Sequence, residues 1–105
     1  MIHDTVIAKH VSPLSQEDAE RFARIFKALS DPIRLQILAM LKKYGGVICV
    51  DEITDCFHLA QPTISHHLGL LRDANLVVPQ KRGTFVFYTL TATAWDATEQ
   101  VAAIL

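Results

Sequence analysis

Four hydrogen-bonding side chains lie close together near the start of the segment 59–76, LAQPTISHHLGLLRDANL; they are Gln61, Thr63, Ser65 and His66. A glutamine amide can bond the edge of an adenine at two points, and a serine or threonine hydroxyl can bond either a base or a phosphate. His66 follows Ser65 directly, and we expect it to face the major groove of DNA as well. Side chains of these types at this spacing predict a segment that contacts DNA bases.

Apolar residues in the same segment define the element that carries these side chains. Ile64, Leu68 and Leu71 occur at positions i, i+4 and i+7, which places them on one buried side of a helix. We predict that this helix spans residues 61–74. A second short helix is predicted over residues 50–58, immediately upstream. Two short helices joined by a tight connection, the second with polar residues near its start, form a helix-turn-helix.

Two further helices are predicted upstream of the helix-turn-helix. Ser15 caps the first, because acidic residues follow it in the first turn. Asp31 caps the second, with Pro32 at its first helical position. The residues expected to be buried are Phe22, Ile25, Phe26 and Leu29 in the first helix and Ile33, Ile37, Leu38 and Leu41 in the second.

A β-hairpin and a closing helix follow Asn75, a residue that tolerates the left-handed conformation at the end of a helix. Two strands rich in aromatic and β-branched residues flank a predicted turn at Lys81-Arg82-Gly83. Thr91 or Thr93 would cap the closing helix. The whole order of elements predicts a mainly α fold with a small β-hairpin wing, which is a winged helix-turn-helix.

The composition is that of one small globular domain, which we place at residues 15–105 after an N-terminal arm at residues 1–14. The formal net charge is −1, but Arg72, Lys81 and Arg82 form a locally basic edge. We expect the last two to hold phosphates or to enter the minor groove. No run of about 18 apolar residues occurs and the first ten residues lack the pattern of a secretory signal, so we expect a cytoplasmic protein without membrane contact.

Four segments of the chain resemble the ArsR/SmtB family of bacterial repressors. They are FKALSDPIRLQIL (26–38), ICVDEI (48–53), AQPTISHHLGLLRDANLV (60–77) and KRGTFVFYTL (81–90), in that order and at ordinary spacing. The resemblance implies a homodimer that is joined by its first and last helices and binds an imperfect palindrome in double-stranded DNA. It also implies an inducer, often a metal or metalloid ion, that lowers the affinity for DNA.

The resemblance directs attention to a sensor site just before the recognition helix. Many members have Cys-Val-Cys there, whereas this chain has Cys49, Val50 and then Asp51, so a site with three thiolates for arsenic is not expected. Zinc-type members combine a cysteine and a carboxylate with ligands from the arm of the other subunit. The corresponding set here is Cys49, Asp51, Glu52, His3 and His10, whose thiolate, carboxylate and imidazole groups suit zinc or a similar divalent ion. The alternative is that the arm histidines bind nothing and Cys49 is a small buried apolar residue.

The second cysteine, Cys56, does not complete that set. Seven helical positions would place it ~10 Å along the helix axis from Cys49, too far for one ion or for a disulfide. We expect Cys56 to be packed in the core or partly buried. No histidine or cysteine occurs after His67, so the resemblance gives no reason to expect a metal site on the closing helix.

Several interpretations of these residues remain open at the level of sequence. Gln61 and Thr63 could instead satisfy free amides at the helix start, since Ala60 is a poor cap. His67 is expected to be packed and hydrogen-bonded. In place of a metal-released repressor, the chain could be a regulator that responds to thiol oxidation or to a small molecule, or a winged-helix module that binds protein. An enzyme is not expected, because no phosphate-binding loop or nucleophile elbow occurs.

Overall fold

The structure, a computed structural model, describes residues 14–104. Within that range the chain forms five helices and three strands. The helices are α1 (Gln16–Ala28), α2 (Pro32–Lys43), α3 (Val50–Phe57), α4 (Gln61–Asp73) and α5 (Ala92–Ile104), and the strands are β1 (Val47–Cys49), β2 (Val77–Arg82) and β3 (Phe85–Leu90). This order confirms the predicted winged helix-turn-helix, with β2 and β3 as the wing.

Three helices begin at side-chain caps that the sequence predicted. The Ser15 hydroxyl accepts a hydrogen bond from the backbone N–H of Asp18 at 3.1 Å. The Asp31 carboxylate accepts from two backbone N–H groups in the first turn of α2. Of the two threonines considered for α5, Thr91 is the cap, since its hydroxyl accepts from the N–H of Ala94 at 3.1 Å. Each cap satisfies a backbone donor that has no partner within its own helix.

The sheet contains three antiparallel strands in the order β1-β3-β2. The turn was predicted at residues 81–83, which begins two positions too early. Lys81 and Arg82 pair with β3, and the turn consists of Gly83 and Thr84. Gly83 has a φ of 63°, a conformation that glycine adopts without the steric cost of a Cβ atom.

The core lies where α2, α3 and α4 meet the base of the wing. The predicted stripe of α4 is confirmed, since Ile64, Leu68 and Leu71 are fully buried. Their fully buried neighbours are Ile25, Ile37, Leu41, Ile53, Leu76 and Val77. Packing these side chains supplies the main stabilisation of a domain of this size.

Some residues that the sequence placed in the core are not buried there. Phe26 is 42% exposed, although Phe22 and Ile25 of the same helix are buried. Cys56 is exposed, so the prediction that it is packed or partly buried is wrong. The physical reason in α3 is that Val50, Ile53 and Phe57 occupy the side that faces the core, and Cys56 lies off that side. Three other residues that were predicted to be buried are only partly buried: Leu29, Ile33 and Leu38.

No helix within residues 14–104 is long and apolar enough to cross a membrane.

Candidate nucleic-acid interface

A three-residue connection positions α4 after α3. α3 ends at Phe57, and His58 then takes the left-handed conformation with a φ of 52°, which turns the chain sharply. α4 begins at Gln61, with Pro62 in its first turn. Ile53 of α3 and Ile64 of α4 are both fully buried, so the two helices are fixed by the same core.

The surface of α4 has a central exposed strip and two flanks. Successive helical residues are rotated by about 100°, so Pro62, His66 and Gly69 lie opposite the buried stripe. Gln61, Ser65 and Arg72 lie along one flank of this strip. Thr63 and Leu70 lie along the other. The four predicted base-contacting residues are therefore on one accessible surface of the helix but not along one line. Gln61, Thr63 and His66 are exposed, and Ser65 is half-buried.

The contacts at the start of α4 bear on the alternative explanation of Gln61 and Thr63. Ala60 caps the helix without any side-chain hydrogen bond, and its carbonyl accepts from the backbone N–H groups of Thr63 and Ile64. The amide of Gln61 instead donates to the hydroxyl of Ser65 at 3.0 Å. Within the described residues, neither Gln61 nor Thr63 uses its side chain to cap α4. These two side chains thus have no role in starting the helix.

A polar cluster joins the beginning of α2 to the middle of α4. The Nη1 atom of Arg34 lies 3.2 Å from the Nδ1 atom of His67, which in turn lies 3.9 Å from the carboxylate of Asp31. The Nε–H of Arg34 donates to the carbonyl of Ala28. The prediction that His67 is packed and hydrogen-bonded is confirmed. Arg34 was not predicted from the sequence, because a contact between residues 33 positions apart leaves no local pattern.

The Asp31 carboxyl in this cluster has a lowered pKa. Desolvation raises the pKa, but it is outweighed by hydrogen bonds from the backbone N–H groups of Arg34 and Ile33 and by the positive charges of His67, when protonated, and Arg34. Asp31 therefore keeps its negative charge, which suits both its position as a helix cap and its contact with His67.

The two cations of the wing point to opposite faces of the hairpin. Lys81 pairs with Val86 and Arg82 with Phe85, and neighbouring residues of a strand alternate between faces. The guanidinium of Arg82 lies 4.8 Å from the ring centre of Phe87 and donates to the side chain of Gln80 at 3.1 Å. The strand period could have signalled this separation, had both cations not been placed in the turn.

Arg72, the third predicted cation, is 52% exposed near the end of α4. Its guanidinium lies 3.5 Å from the carboxylate of Asp73, an exposed ion pair that restrains it only weakly.

The predicted metal ligands do not form a site by themselves. Cys49 is buried and caps α3 without a side-chain hydrogen bond, while Asp51 and Glu52 are exposed. Between residues 14 and 104, no three histidine, cysteine or acidic side chains are placed to hold a metal ion. His3 and His10, the other predicted ligands, lie outside the described residues.

Both cysteines instead line a cleft of about 490 Å³ between α2, β1 and α3. Glu52 lies in the same wall, and Met40, Tyr44 and Phe87 supply apolar surface. Neither thiol is part of a disulfide. The cleft adjoins the strand that pairs with the wing, since Cys49 is opposite Phe87 in the sheet.

A second, apolar groove of about 330 Å³ lies between α1, α2 and α5. Among its lining residues are Phe26, Leu35, Leu38, Leu90, Ala94 and Ala97. Phe26 and Leu35 are 42% and 50% exposed, and Trp95 of α5 is 42% exposed. A hydrogen bond of 3.0 Å from Arg21 to Gln100 links α1 to α5.

Comparisons with known proteins agree with this geometry. Residues 31–78 match the family model described as "Bacterial regulatory protein, arsR family". An uncharacterised HTH-type transcriptional regulator of Methanocaldococcus jannaschii is 49% identical over 72 residues, 69% of this chain and 80% of that protein. The transcriptional repressor SdpR of Bacillus subtilis is 41% identical over 69 residues, 66% of this chain and 74% of SdpR.

Among solved structures, HlyU of Vibrio cholerae superposes with a TM-score of 0.72 at 32% identity. The match covers 85% of this chain and 94% of HlyU.

Proposed function

We propose that this chain acts as a homodimer on an imperfect palindrome in double-stranded DNA. The premise is that the chain belongs to the arsR family of bacterial regulatory proteins. The family and fold are those of DNA-binding transcriptional repressors. The observation that carries the proposal is the polar surface of α4: Gln61, Thr63 and His66 are exposed, and neither Gln61 nor Thr63 caps the helix. In this proposal residues 15–105 form the DNA-binding domain, residues 1–14 an arm, and the protein works in the cytoplasm.

In the proposed complex, α4 lies in the major groove with its first turns against the bases. Gln61 would pair with an adenine through its amide, and Ser65, Thr63 and His66 would contact bases or phosphates beside it. Arg72 would reach a phosphate along the flank that Gln61 and Ser65 share. Of the wing cations, we propose that Lys81 and Arg82 contact different parts of the backbone or minor groove, since they face opposite ways.

The proposed dimer would use α1 and α5. Phe26 and Leu35 are large apolar side chains left exposed in the apolar groove, and Trp95 is a third exposed on α5. Burial of such surface is the usual source of dimer stability. Two copies related by a two-fold axis would contact half-sites about one helical turn, ~34 Å, apart.

Replacing Phe26 by glutamate tests this assembly. A charge within the apolar groove should convert the dimer to a monomer in sedimentation experiments and reduce binding to a palindrome to that of a single half-site. The matched control is Tyr44→Glu, because Tyr44 is 64% exposed and lies outside that groove. A Phe26→Glu protein that remains dimeric and binds the palindrome fully would refute the proposed interface.

We further propose that an inducer releases the repressor from DNA, and we consider two kinds of inducer. Zinc or a similar ion would need Cys49, Asp51 and Glu52 together with His3 and His10 of the arm. A regulator that responds to thiol oxidation or to a small molecule is favoured by the cleft, because it brings the exposed Cys56 and the buried Cys49 into one cavity.

Zinc titration of the reduced protein separates the two. Stoichiometric uptake with a fall in affinity for DNA supports the metal-released repressor. Unchanged affinity without uptake rules it out and leaves the metal-independent regulator.

A further inference from the structure

We propose that Arg24 and Lys27 of α1 contact DNA phosphates on the side of the major groove opposite the flank of Gln61. This inference rests on the proposed insertion of α4 into that groove. It extends the DNA-binding surface to a helix that the motif in residues 59–76 does not include.

The two cations lie in a shallow cleft beside the recognition helix. This cleft, of about 230 Å³, is lined by Arg24, Lys27 and Ala28 of α1, Arg34 of α2, and Leu70, Asp73 and Ala74 from the end of α4. Arg34 is already hydrogen-bonded to the carbonyl of Ala28 and to the ring of His67, which fixes the beginning of α2 against α4. The positions of Arg24 and Lys27 relative to α4 are therefore set by buried and hydrogen-bonded neighbours.

The cleft lies on a defined flank of α4. Leu70, which lines it, follows His67 by one turn and shares its flank with Thr63. Gln61 and Ser65 lie on the other flank. The major groove is about 12 Å wide and a helix with its side chains fills it, so a sugar–phosphate backbone runs along each flank of an inserted helix. Cations beside Leu70 would therefore face one sugar–phosphate backbone, and Gln61 and Ser65 would face the other.

The charges of α1 are segregated along its length. The acidic residues Glu17, Asp18 and Glu20 occupy its first turns, whereas Arg24 and Lys27 occupy the half that reaches α4. Both cations are exposed, and neither side chain has a hydrogen bond or ion pair within the described residues. The acidic residue in the cleft, Asp73, is already paired with Arg72 at 3.5 Å. The local charge is thus positive in a chain whose net charge is −1.

A structural role accounts for only part of this arrangement. A lysine in the last turn of a helix, such as Lys27, stabilises the helix dipole by a modest amount. Lys43 occupies the equivalent last turn of α2 and lies away from the basic cleft, so it has the same helical role without the proposed contact. It serves as the matched control for the charge at Lys27.

The experiment measures how binding depends on salt. Wild-type protein and the variants Arg24→Gln, Lys27→Gln and Lys43→Gln are titrated against a fluorescein-labelled 30-bp duplex of random sequence between 50 and 200 mM NaCl. Each phosphate contact that is lost reduces the slope of log K against log salt by about 0.9, hence about 1.8 for a dimer. Over this range of salt, wild-type affinity should fall about 12-fold more than that of Arg24→Gln or Lys27→Gln.

The outcomes are distinguishable. The inference is supported if both substitutions on α1 flatten the slope while Lys43→Gln does not, and if neither lowers the thermal stability more than Lys43→Gln does. It is overturned if their slopes equal that of Lys43→Gln while the wild type still binds DNA. A wild-type protein that binds no duplex at any salt concentration would overturn the proposed function as well.

Discussion

Replacing Gln61 by alanine should separate recognition of bases from every other property of the protein. Gln61 is exposed, and its amide has one hydrogen bond, to the hydroxyl of Ser65 at 3.0 Å. Alanine is also the stronger helix former. The free energy of unfolding should therefore change by no more than about 0.5 kcal/mol.

The effect on specificity should be much larger. A bidentate contact between an amide and an adenine contributes about 1–3 kcal/mol of discrimination, roughly 5- to 150-fold for each half-site. A dimer carries two copies of Gln61, so the preference for the palindrome over random DNA should fall by about 2–6 kcal/mol.

Fluorescence anisotropy measures this preference directly. A palindrome selected with the wild-type protein and a random duplex of the same length are titrated at about 0.15 M salt, near the physiological value, so that phosphate contacts contribute equally. Ser65→Ala and the double variant complete the set. Because Ser65 accepts the amide N–H of Gln61, the loss in the double variant should be smaller than the sum of the two single losses.

Two results would refute the reasoning. Equal loss of affinity on the palindrome and on random DNA would mean that Gln61 contacts the backbone or maintains the fold. Unchanged affinity of Gln61→Ala for both DNAs would mean that the amide contacts neither a base nor the backbone.

Two further predictions concern the stability of the fold. Asp31→Ala removes the cap of α2, so the midpoint of urea unfolding should fall. Because the Asp31 pKa is lowered, the stabilisation by the charged cap is complete above about pH 5. It is lost as the pH falls below about 3.9, the ordinary pKa of an aspartate. The wild-type and variant midpoints should converge on acidification, and a constant difference down to about pH 2.5 would contradict the assignment. Gly46→Ala should destabilise the fold more than Gly45→Ala does. Both glycines have a positive φ, which costs a residue with a Cβ roughly 1–2 kcal/mol. Of the two, only a Cβ at Gly46 would meet the Trp95 ring, at 2.9 Å. Equal losses in urea unfolding, with unchanged fluorescence of Trp95, would show that this packing contributes nothing.

Much of the fold could be predicted because it follows from short-range rules. The helical spacing of Ile64, Leu68 and Leu71 identified α4 and its buried side. The caps at Ser15 and Asp31 could be predicted because a capping side chain and the backbone N–H that donates to it lie within three residues. The same period, however, predicted burial of Phe26, which is exposed. Periodicity tells which side of a helix is apolar but not how much of that side the domain covers.

The candidate interface divides in the same way. The types and order of Gln61, Thr63, Ser65 and His66 could be taken directly from the chain, because successive residues of a helix have fixed relative directions. Their separation onto two flanks also follows from that geometry once the buried stripe is known. The Arg34–His67 contact and the approach of Arg24 to α4 could not be predicted, since they join residues far apart along the chain.

The chain alone predicts the helix-turn-helix, the wing, the buried stripe of α4 and the polar residues beside it. These features depend on propensity, capping and periodicity, each of which acts over a few residues. The packed structure was needed to show which cations border α4 and that Cys49 and Cys56 share a cleft. Those facts depend on how packed elements are oriented relative to each other, and that orientation is set by the burial of the whole core rather than by any one segment.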